Sequence, residues 1–114
     1  MLILSLVVLN IILFLASKAY AHSPRPHWLP EGWYRLGVCE TGLNWRMHGS
    51  QYSGAFGFYN GTWLAYGGGR FAAYADGASP RAQLWVARRV AARVGLSAWG
   101  CYRNNAWVRA GFGR

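Results

Sequence analysis

Trp33-Tyr34-Arg35-Leu36-Gly37-Val38-Cys39-Glu40-Thr41-Gly42-Leu43-Asn44-Trp45 is the stretch whose reading decides the fold. Pro30, just ahead of it, fits the first turn of a helix, where a missing N–H costs nothing, and Glu31 is favourable beside the positive N-terminal end. Trp33, Leu36, Gly37 and Glu40 then recur at i, i+3, i+4 and i+7, one face of a helix, and Gly42 is a fitting stop. Glu40 therefore falls near the negative C-terminal end of a short helix, between tryptophans. That position and burial both raise a carboxyl pKa. A carboxyl that keeps its proton near neutral pH can serve as a general acid. The plainer alternative is a surface carboxylate at a helix end, paired with Arg35 or Arg46.

Rarity makes Glu40 conspicuous. The chain has 3 acidic residues against 12 lysines and arginines, for a formal charge of +9. The other two acids, Glu31 and Asp76, lie in more polar, loop-like surroundings. So basic a surface attracts polyanions in general, whether nucleic acid, acidic lipid or an anionic cell wall. The basic residues are scattered rather than gathered in a tail, so composition alone selects none of these.

Leu2 to Leu15 is apolar except for Ser5 and Asn10, and Ala19-Tyr20-Ala21 has the small-x-small form of a cleavage site. Residues 1–21 read as a signal peptide cleaved before His22. A retained anchor is the alternative, since a span needs roughly 17–25 apolar residues and this run with its flanks barely reaches that. Residues 22–29, with Pro24 and Pro26, read as an extended linker. Residues 30–101 read as one small domain. Its two cysteines, Cys39 and Cys101, read as a disulfide in an exported chain, with free thiols as the minority alternative. They have no matched histidine spacing for zinc, so no metal and no cofactor are expected.

Glycines 49, 54 and 57 among Tyr52, Phe56 and Phe58 suggest a short twisted β-hairpin. Asn60-Gly61-Thr62 opens a brief helix through Tyr66. Ser79-Pro80, a capping side chain followed by proline, starts a helix that runs to Val94 and ends at Gly95. On it Gln83, Val86, Ala87, Val90 and Val94 share a face. Gln83 is the polar member of that stripe: either it is solvated at the stripe's end, or it lines a cleft and hydrogen-bonds a ligand. Residues 102–114 read as a flexible tail. Trp33, Trp63 and Trp99 are expected in the core, because a tryptophan in so small a domain is more often core than ligand platform.

Read in register, Trp33-x5-Cys39-Glu40-Thr41-Gly42-x-Asn44-Trp45, Tyr52-x-Gly54-Ala55-Phe56-Gly57-Phe58, Thr62-Trp63-x2-Tyr66-Gly67-Gly68, Ser79-Pro80-Arg81-x-Gln83 and Gly95-x2-Ala98-Trp99-x-Cys101 resemble the resuscitation-promoting factor family. The resemblance covers about Glu31 to Cys101. It implies an α+β fold: a small lysozyme-like domain, mainly helical with a short β-hairpin and one disulfide, Cys39 to Cys101. It further implies a secreted or wall-located enzyme that cleaves the glycan strands of peptidoglycan, with Glu40 as catalytic acid and Gln83 and Thr62 at the substrate cleft. The family's glutamine in its Gly-Leu-Gln-Phe segment is replaced here by Gly57, and its usual serine after the glutamate by Thr41.

Glycoside cleavage ordinarily uses two carboxyl groups. Asp76 and Glu31 read as solvated or capping residues, so a single-acid route fits better. Glu40 would protonate the leaving oxygen and then activate water or the muramic acid's own 6-hydroxyl, the second giving an anhydro sugar. Flat rings stack on sugar faces, which makes Tyr52, Tyr66 and Trp45 candidate sugar contacts. The expected partner is peptidoglycan, with no nucleic acid, no lasting membrane span and a monomeric state. The alternative is a weak or inactive peptidoglycan-binding module, which the loss of a side chain at Gly57 makes conceivable.

Overall fold

A computed structural model describes residues 24–113. The segment read as a signal peptide or anchor lies outside them. Among the described residues no helix is long and apolar enough to cross a membrane.

Helix α1 spans Glu31–Thr41. Glu31 sits in its first turn and pairs with Arg35 one turn on, at 2.9 Å, and with Arg25 at 2.8 Å. Its buried face carries Trp33, Leu36 and Gly37. The helix stops at Gly42, in the left-handed region with φ 70°, and the Gly42 and Leu43 N–H groups return to the Val38 and Gly37 carbonyls. Leu43 also takes a positive φ, 57°, which L-residues avoid. Its side chain supplies the compensation, because it packs where a side chain at position 37 would be. A Cβ on Gly37 would stand 2.7 Å from Leu43 Cδ1.

The expected hairpin is present. Strands β1, Tyr52–Ser53, and β2, Phe58–Tyr59, pair antiparallel with Tyr52 opposite Tyr59 and Ser53 opposite Phe58. The four-residue turn between them, Gly54 to Gly57, is the part that faces α1. Helix α2, Asn60–Ala65, follows directly and buries Trp63. Short 3-10 turns at Gly68–Arg70 and Ala75–Gly77 lead to α3, Pro80–Val94, whose N-cap Ser79 accepts the Ala82 N–H. Its core face is Ala82, Gln83, Leu84, Val86, Ala87 and Val90. Val94, expected on that stripe, is exposed, because the last turn of α3 extends past the core.

Two segments differ from their expectation. Residues 102–113 are not a loose tail: after a 3-10 turn at Leu96–Ala98, helices α4, Gly100–Asn104, and α5, Ala106–Gly111, fold back on α1. Asn105 caps α5 by accepting the Trp107 and Val108 N–H groups, Val108 is fully buried, and Phe112 meets Trp33 edge-on at 5.3 Å. The proline-rich segment also docks rather than only linking. Leu29 is fully buried, and Trp28 lies between Trp45, at 6.0 Å, and the Arg81 guanidinium, at 4.7 Å. Burying these apolar groups outweighs the extended preference of the prolines.

Trp33 is the hub of one core, with edge-on contacts to Phe56, Trp99 and Phe112. Trp33, Trp63 and Trp99 are all buried, as expected. The Cys39–Cys101 disulfide ties α1 to α4 across a sequence separation of 62. A loop of that length corresponds to about 4 kcal/mol in the chain-entropy model. The result is a small lysozyme-like domain, mainly helical, with one hairpin and one disulfide.

Candidate active site

Glu40 stands in the last turn of α1, half-buried, with its carboxyl directed at the start of α4. Its Oε1 accepts the Cys101 N–H at 3.1 Å. Among the described residues no donor reaches Oε2. Burial pushes the Glu40 pKa above the ordinary carboxylate value, against the lowering pull of the Cys101 N–H and then of the Arg103 charge. Desolvation is thus the dominant influence, and the carboxyl holds its proton to higher pH than a solvated glutamate.

Opposite Oε2 lies Gly57. A Cβ built there would stand 3.6 Å from Oε2, and its φ of +59° suits glycine. A side chain at position 57 would thus pack in ordinary contact with Glu40 and Thr41, beside the carboxyl oxygen that accepts no hydrogen bond from the described residues.

The turn that holds Gly57 is fixed by the protein around it. Thr41 Oγ1 donates to the Ala55 carbonyl at 2.6 Å. Trp99 Nε1 donates to the Phe56 carbonyl at 3.0 Å. The Ala55 N–H donates to Gln83 Oε1 at 2.9 Å, and the Gly57 N–H closes the turn onto the Gly54 carbonyl at 3.0 Å. The wall facing Glu40 is thereby preorganised by α1, α3 and the segment leading into α4.

Gln83, expected either solvated or lining a cleft, is fully buried. Besides accepting from Ala55, its Nε2 donates to the carbonyls of Trp45, at 3.0 Å, and Ala78, at 3.1 Å. It knits the hairpin turn, the segment after α1 and the loop before α3 into one unit. Trp45 belongs to the same group, half-buried with its ring edge-on to Phe56 at 5.6 Å. Tyr52 is exposed on β1, against Tyr59 at 6.0 Å. Thr62 and Tyr66 are half-buried on and just after α2. Among the described residues these three make no hydrogen bond or ring contact to the Glu40 turn.

Glu31 is engaged by Arg25 and Arg35, and Asp76 by His48 at 3.0 Å. Neither is a free carboxylate aimed at Glu40. Among the described residues no three His, Cys, Asp or Glu side chains gather in a way that would hold a metal ion. Sequence reasoning missed three contributors: the Cys101 backbone N–H, Trp99 as a hydrogen-bond donor and Thr41 as an anchor. The Trp99-x-Cys101 spacing was visible, but its relation to Glu40 is a contact across some sixty residues of sequence.

Residues 30–102 match the transglycosylase-like domain family. Resuscitation-promoting factor Rpf2 of Corynebacterium glutamicum is 46% identical over 68 residues, 59% of this chain and 18% of that protein. RpfA of Mycobacterium tuberculosis is 43% identical over 68 residues, 59% of this chain and 17% of its own length. RpfC of Mycobacterium tuberculosis is 41% identical over 86 residues, 73% of this chain and 55% of its own. The matched stretch is thus under a fifth of the first two proteins and little more than half of the third. On the family match over most of its described residues, the chain belongs to the transglycosylase-like domain family of the resuscitation-promoting factors.

Proposed function

We propose that this domain cleaves the glycan strands of bacterial peptidoglycan, at the bond between N-acetylmuramic acid and N-acetylglucosamine, with Glu40 as the single catalytic acid. One observation carries the reading: Glu40 is half-buried, holds its proton to higher pH than a solvated glutamate, and has one oxygen fixed by the Cys101 N–H while the other, beside Gly57, accepts no hydrogen bond from the described residues. That is the arrangement required of a group that must first give and then take a proton.

In the proposed reaction Glu40 protonates the glycosidic oxygen as its bond to the muramic C1 breaks. The resulting carboxylate then takes the proton of the incoming hydroxyl. When that hydroxyl is the muramic acid's own 6-hydroxyl, the product is a 1,6-anhydro sugar and no protein nucleophile is needed. When it is water, the product is a reducing end. We favour the first, because both other carboxylates are already paired elsewhere.

Tyr52, Thr62, Tyr66 and Trp45 are the proposed sugar contacts, the aromatic rings by stacking. We assign Gln83 the task of holding the Glu40-facing wall. Secretion is proposed on the reading of residues 1–21 as a signal peptide, and the domain is read as acting as a monomer at the wall. Gly57 gives a second reading its footing: without a side chain there, the domain would bind peptidoglycan and turn it over weakly or not at all. Release of soluble muropeptides by the wild type and by Glu40→Gln separates the two.

A further inference from the structure

On the outer face of α3 the chain builds a cationic cluster. Trp85 is only 37% exposed, because the guanidiniums of Arg89, at 4.7 Å, and Arg70, at 5.5 Å, pack on its ring, and Phe71 meets it edge-on. Arg89 is further fixed by donating from Nε to the Tyr66 carbonyl at 3.1 Å. Beside it opens a recess of about 630 Å³ lined by Ala65, Tyr66, Arg89, Ala92 and Arg93. Arg89 and Arg93 are one helical turn apart, a like-charge spacing that costs helix stability. Among the described residues no carboxylate pairs with Arg70, Arg88, Arg89 or Arg93. Among the described residues this cluster therefore carries no offsetting negative charge.

We propose that this recess binds the phosphodiester groups of an anionic polymer attached to the cell-wall glycan, and so holds the enzyme on its substrate. Arg89, stacked on the Trp85 ring and fixed by the Tyr66 carbonyl, presents a planar, multidentate donor that suits phosphate oxygens, and Arg93 adds a second guanidinium to the lining. A lipid surface fits less well, because two guanidiniums pack on the Trp85 ring, and their charge would have to enter the acyl region with it. The site takes the wall setting from the proposed function and borders the proposed sugar contact at Tyr66, but it takes nothing from the chemistry at Glu40.

The test uses purified walls, with their phosphodiester polymers intact or removed by hydrofluoric acid, and the proteins carrying Glu40→Gln so that cleavage cannot confuse retention. Retention is expected to fall about tenfold when the polymer is removed, and equally when Arg93→Glu is tested on intact walls. Arg93→Lys should keep most of the binding, and Arg93→Glu should match its parent on stripped walls. In the background with Glu40 intact, Arg93→Glu should cleave short soluble glycans at the wild-type rate. Equal retention on intact and stripped walls would overturn the proposal, as would tighter binding to vesicles of anionic lipid. A slower cleavage of soluble glycan would place Arg93 in the substrate cleft and likewise contradict a separate site.

Discussion

Cys101 holds Glu40 twice. Its N–H donates to Glu40 Oε1 at 3.1 Å, and its sulfur is bonded to Cys39, the residue just before Glu40. The covalent bond and the hydrogen bond together fix the carboxyl relative to both α1 and α4. One crosslink therefore serves the stability of the fold and the aim of a single side chain.

Reducing that disulfide should lower stability by about 2–5 kcal/mol, as for disulfides of small exported domains. Thermal unfolding with and without reductant measures it. Activity should fall further than the unfolded fraction accounts for, because Glu40 loses its fixed partner. Loss of activity in strict proportion to unfolding would show that the crosslink has no part in aiming the carboxyl.

The raised Glu40 pKa fixes the sign of a pH effect. Below the ordinary carboxylate pKa both folded and unfolded chains carry the proton, and the full stability is present. As pH rises, the unfolded chain releases its proton first, so stability is lost until the raised folded pKa is passed. Glu40→Gln removes this loss while keeping an oxygen for the Cys101 N–H. The variant should therefore gain on the wild type in melting temperature from acid towards neutral pH. A difference that stays constant with pH would contradict the burial argument. Turnover by the wild type should fall on the alkaline side as the acid form is depleted.

Gln83→Leu should destabilise the domain by roughly 2–4 kcal/mol, since the buried Ala55 N–H and the Trp45 and Ala78 carbonyls lose their partner. If Gln83 acts by positioning the turn, a soluble glycan should show a lower kcat, with KM nearly unchanged. A raised KM with unchanged kcat and stability would instead mark Gln83 as a direct substrate contact.

Gly57→Gln places an amide beside Oε2 at a position with φ +59°. The left-handed backbone should cost about 1–2 kcal/mol, read as a lower melting temperature. Turnover on peptidoglycan should rise several-fold, since the amide can hold sugar or the incoming hydroxyl next to the acid. A lower rate in an equally folded variant would show that a side chain there obstructs the reaction, and an unchanged rate would show that position 57 takes no part in it.

Local signals made much of this fold legible. Ser79-Pro80 announced α3, and the spacing of Trp33, Leu36 and Gly37 announced the buried face of α1. The glycines at 54 and 57 marked the hairpin turn. Helices α4 and α5 escaped because five or six residues are too few to show a period, and their stability comes from Phe112 and Val108 packing on distant α1. Leu29 was hidden among prolines for the same reason. Glu40 stood out by rarity and position, but its partners at Cys101 and Gly57 exist only through tertiary contacts. Gln83 was conspicuous as a polar residue on an apolar stripe. Its three backbone partners lie up to 38 residues away in sequence, so spacing alone could not tell a buried strut from a cleft wall.

Everything proposed for the reaction rests on Glu40 supplying the proton for glycan cleavage. Mass spectrometry of the soluble fragments released from purified peptidoglycan by the wild type and by Glu40→Gln tests this most directly. We expect muropeptides with 1,6-anhydro ends from the wild type and a release at least a hundredfold lower from the variant, given the usual ~10²–10⁴-fold contribution of a general acid. Equal release by two equally folded proteins would contradict it.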